Sequence, residues 1–513
     1  MDEGIGAWVA RRAERSPDAV ALVDGPTRAR TSYAELDEHV GARADRLAAL
    51  GVGHGDRVAL LGENSPAYLE WLFAAARLGA ITVPVNMRLA APEVAYVLAD
   101  SGAGVLVRST VFAPLADAAC GELDEAPVLV ELGEAPDGPG RREPEPGAGR
   151  GAEPCVIMYT SGTTGRPKGA VLTHDNMLWN AVNMLSAGPG IASTDVTIAA
   201  APLFHIGALG LSALPLLYAG GTVVVVPAFD PAGFLDLLAA EGVTTQFLVP
   251  SMWAALTRVP DLGDRSFPAL RWAISGGAPC PVTVIERFLG LGWTFTEGFG
   301  MTELSPSALF LETADVVTHA GSVGRPFLHV DARLVDEAGA EVGVGEVGEL
   351  VLRGPTVFAG YWNRPQETAE AFRDSGQHAD RWFHSGDLGV RDEHGFITLV
   401  DRKKDMIITG GENVYPVEVE QVLHRHPGVA DVAVVGVGDP QWGETVVAVV
   451  VPADPDAPPA EDEVIAFARE RIAHFKAPRR VEVVEDLPRN ATGKLLKRVL
   501  RERFAGSAAA VSR

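Results

Sequence analysis

The feature that most limits how this chain can fold is a polar, glycine-rich loop that directly follows an apolar strand. Residues 155–158 are apolar, and the segment that follows reads Tyr-Thr-Ser-Gly-Thr-Thr-Gly-Arg-Pro-Lys-Gly, ending at Gly169. Glycines let a backbone turn its N–H groups toward a ligand, hydroxyls add donors or metal ligands, and Lys168 adds positive charge. A flexible linker seldom follows an apolar strand directly or contains a Pro-Lys pair. The sequence therefore predicts a loop that binds polyphosphate.

The loop does not match the Walker A pattern, in which Gly and four residues precede Gly-Lys-Ser/Thr. Here Pro167 precedes Lys168, and Gly169 follows it. The loop instead resembles the signature of AMP-forming acyl-CoA synthetases, which belong to the adenylate-forming superfamily. The resemblance implies that ATP is held here by the residues Thr160, Ser161, Gly162, Thr163, Thr164, Gly165 and Lys168.

Length and charge limit the domain organisation and the partners. A chain of 513 residues is longer than one hydrophobic core usually organises, so two or more domains are expected. The net charge of −24 argues against nucleic acid as a partner.

The cysteines and the N-terminus indicate that the protein is located in the cytoplasm. The three cysteines are widely spaced, and the acidic N-terminus lacks the features of a signal peptide. Residues 196–229 carry no charge, but internal proline and glycine favour a buried helix–turn–strand over membrane insertion.

Short apolar strands alternate with helices in the first part of the chain. Ser32 and Glu35 form a capping-box pattern before a helix, and strands are predicted at 57–61 and 81–85. This alternation predicts an α/β fold with mostly parallel, helix-covered sheets. After about residue 310, short strands indicate a small barrel or sheet, and a compact α+β unit follows. We therefore predict a large N-terminal domain over 1–401 and a small C-terminal domain over 402–513.

Further segments resemble the superfamily, in the same order and over nearly the whole chain, and the run Tyr-Trp-Asn-Arg-Pro at 361–365 is one of them. The run Ser-Gly-Gly-Ala-Pro at 275–279 resembles the loop that lies along adenine. The run Glu-Gly-Phe-Gly-Met-Thr-Glu at 297–303 resembles the Tyr-Gly-Met-Thr-Glu motif, except that Phe299 replaces the usual Tyr. A phenyl ring can still stack on adenine, but it lacks the phenol hydrogen bond. The resemblance assigns nucleotide binding to Gly276, Gly277, Ala278, Glu297, Gly298 and Phe299.

Four residues are implied to be catalytic by the same resemblance. His205, in Ala-Pro-Leu-Phe-His, matches a position between the acyl and nucleotide sites, although an isolated histidine is more often a core residue. Thr302 is expected near the α-phosphate, and Glu303 is expected to hold Mg²⁺ together with the hydroxyl of Thr160. Lys494 matches the adenylation lysine, although a lysine after Thr-Gly is ordinarily a surface charge.

Two segments near residue 400 complete the resemblance. Asp387 ends the run Trp-Phe-His-Ser-Gly-Asp and matches the carboxylate that accepts hydrogen bonds from both ribose hydroxyls. Residues 401–413 match the interdomain signature, although the basic run alone would also suit a surface turn. There Arg402 is implied to contact the nucleotide and Lys404 to be the hinge of a mobile C-terminal domain. The thiol site is implied to be faced by Gly410, Gly411 and Glu412.

The resemblance predicts a ligase that uses ATP, Mg²⁺ and coenzyme A. It would form an acyl-AMP with release of pyrophosphate and then transfer the acyl group to the thiol of coenzyme A. The segment 247–253, Phe-Leu-Val-Pro-Ser-Met-Trp, carries no charge, which disfavours dicarboxylic and amino acids. The sequence looks most like bacterial medium- or long-chain fatty acyl-CoA ligases, with aryl acids left open.

Alternatives to this prediction concern the acceptor and the chemistry. A carrier-protein phosphopantetheine is an alternative acceptor. A luciferase-like oxidase is disfavoured because nothing in the sequence marks an oxygen site. A non-catalytic nucleotide sensor would have lost Lys494, Glu303 or Asp387, and all three are present. The sequence leaves the oligomeric state open, a dimer included.

Overall fold

The chain has a mixed α/β fold in a computed structural model that describes residues 4–134, 150–160, 166–373, 381–402, 405–439, 441–489 and 495–505. The α-helices are α1 (Trp8–Arg15), α2 (Tyr33–Ala49), α3 (Pro66–Arg77), α4 (Ala91–Ser101), α5 (Ala113–Cys120), α6 (His174–Ser186), α7 (Leu214–Ala219), α8 (Pro231–Ala240), α9 (Pro250–Thr257), α10 (Val282–Gly290), α11 (Pro365–Ala371), α12 (Pro416–Leu423), α13 (Glu461–Arg469) and α14 (Lys497–Ala505). Among the described residues, no helix has both the length and the apolar character needed to cross a membrane.

The strands found among the described residues belong to five sheets. In chain order they are β1 (Val20–Asp24), β2 (Arg30–Ser32), β3 (Arg57–Leu61), β4 (Ile81–Pro84), β5 (Val105–Arg108), β6 (Val128–Glu131), β7 (Pro154–Thr160), β8 (Lys168–Thr173), β9 (Val196–Ala199), β10 (Thr222–Val225), β11 (Thr245–Leu248), β12 (Trp272–Gly276), β13 (Phe295–Gly300), β14 (Ser307–Phe310), β15 (Arg325–Pro326), β16 (Asp331–Val335), β17 (Val347–Arg353), β18 (Gly360–Tyr361), β19 (Phe383–Arg391), β20 (Ile397–Arg402), β21 (Ile407–Thr409), β22 (Glu412–Val414), β23 (Val429–Asp439), β24 (Gly443–Pro452) and β25 (Arg480–Val483).

The large N-terminal domain contains three sheets with parallel cores. Their strand orders are β18-β8-β7-β4-β3-β5-β6, β2-β1-β10-β9 and β11-β12-β13-β14-β15. Strand β3 is buried on both faces: Val58 and Leu60 pack in one core with α2 and α3, and Ala59 and Leu61 pack in another with α4 and α5. Helices on both faces of a parallel sheet produce this burial. The predicted α/β class is confirmed.

The later part of the chain is mostly antiparallel. The region for which the sequence predicts a small barrel contains the four-stranded sheet β16-β17-β19-β20. The smaller C-terminal domain has the sheet β22-β21-β24-β23, with β25 parallel to β24 and with α12–α14 packed around it. The predicted start of α2 is also confirmed, because the Ser32 Oγ accepts from the Glu35 N–H at 3.2 Å while the Ser32 N–H donates to Glu35 at 2.8 Å.

The side chain of Gln246 joins two sheets of the large domain. Strands β9 and β11 are edge strands of different sheets. Gln246 on β11 is fully buried; its Oε1 accepts from the Ile198 N–H at 3.0 Å, and its Nε2 donates to the Ile198 carbonyl at 2.9 Å. The amide thus supplies β9 with the donor and the acceptor that a neighbouring strand would supply. The contact brings the ends of β9, β11, β12 and β13 to one region.

We predict that Gln246→Ala lowers the free energy of unfolding of the large domain by about 2–4 kcal/mol, because it leaves buried backbone groups of Ile198 without these partners. Urea unfolding followed by tryptophan fluorescence measures this loss. Gln366→Ala, at an exposed position of α11, is the control and should change the value by less than about 0.5 kcal/mol. Equal stability of the two variants would contradict the prediction.

Candidate active site

The predicted polyphosphate loop connects β7 to β8. Thr160, the last residue of β7, pairs with Lys168, the first residue of β8, and its Oγ1 lies 3.5 Å from the Lys168 carbonyl oxygen. The antiparallel pairing therefore brings the predicted hydroxyl and lysine together at the loop end of the hairpin. The remaining predicted loop residues, Ser161, Gly162, Thr163, Thr164 and Gly165, lie outside the described residues.

Tyr361 lies between two predicted site residues. Its ring centroid is 5.4 Å from the Nζ of Lys168, and its hydroxyl donates to Glu303 Oε1 at 2.9 Å. Burial and the neighbouring Glu303 raise the pKa of the Tyr361 hydroxyl well above its ordinary value, so this hydroxyl stays a donor. The sequence prediction did not assign a role to Tyr361. The run Tyr361–Pro365, which matched the superfamily, was the available signal.

Backbone hydrogen bonds hold the segment 358–362 against both parts of the site. The Phe358 N–H donates to the Glu303 carbonyl at 2.9 Å. The Trp362 N–H donates to the Gly169 carbonyl at 2.7 Å, and β18 pairs with β8. We call residues 358–362 the connecting segment. It fixes the buried Glu303 and the adjoining Thr302 relative to the β7–β8 hairpin.

The predicted adenine loop begins at the end of β12, beside β13. Gly276 pairs with Gly298, and a Cβ at Gly276 would lie 3.2 Å from the Gly298 carbonyl oxygen. Gly277 has φ +90°, a left-handed conformation that favours glycine. The structure therefore brings Gly276, Gly277 and Ala278 next to the run that contains Phe299. Glycine is therefore favoured at 276 because a Cβ there would be crowded, and at 277 because the backbone is left-handed.

Glu297 is buried one residue before Gly298. Burial raises the pKa of its carboxyl to about 8, while the N–H groups of Cys280 and Gly321 partly oppose this shift. In the described part of the chain, Glu297 Oε2 has no hydrogen-bond partner. The carboxyl is thus mostly protonated at neutral pH and retains a free hydrogen-bonding position.

His205 follows β9 and precedes a single π-helical turn, Gly207–Ala213. Burial lowers the pKa of His205 to about 3, and the positive charge of Arg88 adds to the effect, so the imidazole is neutral at physiological pH. Its Nε2 has no hydrogen-bond partner among the described residues. Nearby, the Phe247 ring occupies the space beside Gly207 and Gly276, where an added Cβ would lie 3.2 Å and 3.4 Å from it.

Asp387 and Arg402 are neighbours across β19 and β20. The two residues are directly paired, and Arg402 Nε lies 3.3 Å from Asp387 Oδ1. Asp387 is buried and Arg402 is partly exposed. The predicted ribose carboxylate and the predicted nucleotide-binding arginine are therefore in contact.

The predicted thiol-site residues form a separate turn. Gly410 and Gly411 have φ +61° and +86° and join β21 to β22, where Thr409 pairs with Glu412. All three residues from Gly410 to Glu412 are exposed. Gly410 packs against the partly exposed Trp442, whose ring centroid lies 3.8 Å from the Arg479 guanidinium carbon. The sequence prediction did not single out Trp442, because an isolated tryptophan carries no motif. Lys404 and Lys494 lie outside the described residues.

Comparison with protein families identifies the class of enzyme. The profile of AMP-binding enzymes matches residues 9–362, and the profile of the AMP-binding enzyme C-terminal domain matches residues 418–494. The chain therefore belongs to the AMP-binding enzyme family. Together with its full-length relatives, this confirms the predicted AMP-forming acyl-CoA ligase, which uses ATP and coenzyme A.

Individual relatives match over nearly their whole length. The chain is 46% identical over 504 residues to feruloyl-CoA synthase of an Amycolatopsis species, covering 98% of this chain and 99% of that protein. It is 36% identical over 511 residues to the long-chain-fatty-acid–CoA ligase FadD13 of Mycobacterium tuberculosis, with the same coverage of 98% and 99%. ATP-bound MatB from Rhodopseudomonas palustris is 33% identical, with a TM-score of 0.90 over 99% of this chain and 100% of that chain. Apo MatB gives a TM-score of 0.77.

The raised pKa of Glu297 predicts a pH-dependent stability. The folded protein binds this proton more tightly than the unfolded chain, so the associated stability is complete below about pH 4.5 and is lost as the pH rises toward about 8. Glu297→Gln removes the titration. The difference in the free energy of unfolding, variant minus wild-type protein, should therefore increase by more than about 1 kcal/mol from pH 5 to pH 8.5. Urea unfolding at a series of pH values measures this; a constant difference would contradict it.

Proposed function

We propose that this ligase adenylates an apolar aryl acid and that Thr160, Lys168, Thr302 and Glu303 handle the phosphates of ATP. The observation that carries the proposal is the contact of Lys168 and Glu303 with the Tyr361 side chain. It places a cation and a carboxylate against the same tyrosine side chain, and the cation is on the strand that follows the phosphate-loop segment. The N–H groups and hydroxyls of that loop would bind phosphate oxygens.

The first half-reaction has a defined electrostatic requirement. A carboxylate oxygen attacks the α-phosphorus, the bond to the β-phosphate breaks, and pyrophosphate leaves with the negative charge. Charge therefore accumulates between the acid and the α-phosphate. Lys168 and Lys494 would stabilise it, and Thr302 would donate a hydrogen bond to the α-phosphate. In the second half-reaction, the coenzyme A thiolate attacks the acyl carbon and AMP leaves.

The donor set of Glu303 and Thr160 suits Mg²⁺. This ion prefers oxygen ligands and commonly binds one or two protein groups together with phosphates and water. One carboxylate and one hydroxyl at the mouth of a phosphate loop provide such a set. When bound, Mg²⁺ would neutralise phosphate charge. Tyr361 would orient Glu303 through its 2.9 Å hydrogen bond.

The nucleoside of ATP would be held by contacts to its adenine and to its ribose. The adenine ring would lie between the loop Gly276–Ala278 and the ring of Phe299. Glu297, with a protonated carboxyl and an unpartnered oxygen among the described residues, is suited to hydrogen-bond the edge of the base. Asp387 would accept from the two ribose hydroxyls, with Arg402 beside it supplying positive charge.

The acid would bind near His205. Neutral His205 offers one imidazole nitrogen without burying a charge, and Phe247 provides an aromatic surface next to the glycines at 207 and 276. A planar aryl acid would stack on such an aromatic surface. The sequence favoured a fatty acid, but the identity to feruloyl-CoA synthase, 46% against 36% for FadD13, favours an aryl acid such as ferulate. A medium- or long-chain fatty acid is the second candidate.

The second half-reaction would require a domain rotation. We place the domain boundary between residues 401 and 402, with Lys404 as the hinge, so that Lys494 serves adenylation and Gly410–Glu412 serve the thiol site. The partly exposed Trp442, covered by Arg479, offers a stacking surface with positive charge beside the Gly410 turn. Such a surface suits the adenine nucleotide of coenzyme A, which a carrier-protein phosphopantetheine lacks.

We predict acid-dependent pyrophosphate release with ATP and Mg²⁺ that is highest for ferulate and at least about tenfold lower for dodecanoate, malonate and phenylalanine, which corresponds to about 1.4 kcal/mol in activation free energy. Multiple turnover should require coenzyme A. A maximum for dodecanoate would establish the second candidate. Release that is insensitive to coenzyme A would favour a carrier-protein acceptor, and no release with any acid would contradict the proposal.

We predict that Lys494→Ala lowers the rate of adenylation by a factor of about 100 or more, because one preorganised positive group is worth on the order of 3 kcal/mol in the transition state. Thioester formation from supplied feruloyl-AMP should remain within about threefold of the wild-type rate. The two half-reactions are measured separately, by ATP–pyrophosphate exchange and by thioester absorbance. An equal loss of both would contradict the assignment of Lys494.

A further inference from the structure

Helix α12 of the C-terminal domain contacts the large domain through the amide side chain of Gln421. Gln421 Oε1 accepts from the Val282 N–H at 3.3 Å, and Gln421 Nε2 donates to the Cys280 carbonyl at 3.2 Å. Val282 is the first residue of α10, whose opening N–H groups have no partners within the helix. Pro281, which precedes α10, makes no side-chain cap hydrogen bond. Gln421 therefore serves as a cap for α10 that comes from the other domain.

The contacted segment adjoins the proposed adenine site. Cys280 follows directly on the loop 275–279, and its N–H stabilises the ionised form of the buried Glu297 carboxyl. The Cys280 carbonyl then accepts from Gln421. One short stretch of backbone is thus in contact with a proposed nucleotide-binding residue on one side and with the C-terminal domain on the other.

A hydrogen bond and an ion pair connect α12 to the neighbouring parts of the chain. Asp401, at the end of the large domain, accepts from the Val417 N–H at 3.3 Å. Glu420, next to Gln421, forms an ion pair of 2.8 Å with the mostly buried Lys497. Lys497 is three residues after Lys494 in the chain, and Asp401 directly precedes Arg402, which contacts Asp387.

Exposure indicates which half-reaction this arrangement serves. The turn Gly410–Glu412, proposed for the thiol step, is exposed to solvent. In contrast, Lys497 is held by Glu420 on α12, the helix that docks on the large domain beside the proposed nucleotide site. The helix that holds Lys497, three residues from the proposed adenylation lysine, is therefore docked beside the proposed nucleotide site, while the thiol-site turn is exposed. This is the arrangement expected during adenylation.

We propose that Gln421 is a positioning residue that docks the C-terminal domain on residues 280–282 for adenylation and leaves this contact for the thiol step. The proposal rests on the proposed two-step function. Its physical basis is that one amide satisfies both a donor and an acceptor of the same backbone segment. A rotation of the C-terminal domain breaks both hydrogen bonds together, so the contact favours one arrangement selectively.

Gln421→Ala tests the proposal by its effect on the separate half-reactions. With ferulate, or with whichever acid of the panel gives the highest wild-type rate, ATP–pyrophosphate exchange should fall about tenfold. Thioester formation from the corresponding supplied acyl-AMP should stay within about twofold. Glu418→Ala is the matched control, because Glu418 lies on the same helix and pairs with Lys476 of the same domain at 2.7 Å. It should leave both rates within about twofold.

Hydrogen exchange of the full-length protein tests the docking contact without catalysis. In Gln421→Ala, the peptide that covers residues 280–290 should exchange its Val282 amide several-fold faster, and Glu418→Ala should not change it. Unchanged exchange, equal loss of both half-reactions, or normal adenylation despite faster exchange would overturn the role of Gln421. Absence of pyrophosphate exchange in the wild-type protein with every acid would instead overturn the proposed function itself, and the role of Gln421 with it.

Discussion

The hydrogen bonds of the connecting segment 358–362 fix the position of Glu303 relative to the β7–β8 hairpin. Thr160 and Lys168 lie on a hairpin of one sheet, Glu303 follows a strand of another sheet, and the connecting segment links the two. Strand β18 of the connecting segment pairs with β8, and the Phe358 N–H donates a hydrogen bond to the Glu303 carbonyl. Tyr361 then adds the side-chain link. Adenylation depends on such preorganised charge.

The proposed nucleotide and acyl sites lie where several parallel strands end. His205, Phe247, Gly276 and Glu303 lie at or after the ends of β9, β11, β12 and β13. In open α/β sheets, ligands bind beyond the carboxyl ends of the strands. Here two sheets contribute, and the buried Gln246 amide holds them together. The fold thereby brings short motifs that are distant in the chain into one region, and α12 of the C-terminal domain contacts this region at residues 280–282.

Local patterns predicted much of this from the sequence. The capping box at Ser32, the strand before the phosphate loop and the α/β class follow from side-chain chemistry and periodicity, and the structure confirms them. Family resemblance added the site residues. The structure pairs Asp387 with Arg402, and it places Lys168 and Glu303 in contact with the same side chain, that of Tyr361. The motif around Tyr361 was recognisable, but its contacts with Glu303 and Lys168, 58 and 193 residues away, were not. Gln246 and Gln421 lie in no motif, and their partners are 48 residues and 139 to 141 residues away in the chain, respectively. The acid class also depends on the three-dimensional shape around Phe247.

Formation of an acyl-adenylate is tested most directly by following the oxygen atoms of the acid. Ferulate labelled with ¹⁸O in its carboxylate is incubated with the protein, ATP, Mg²⁺ and coenzyme A, and the products are analysed by mass spectrometry. Attack of the carboxylate on the α-phosphorus predicts one ¹⁸O atom in the phosphoryl group of AMP and none in pyrophosphate. Label in inorganic phosphate together with ADP, or thioester formation with unlabelled AMP, would contradict adenylation by this site.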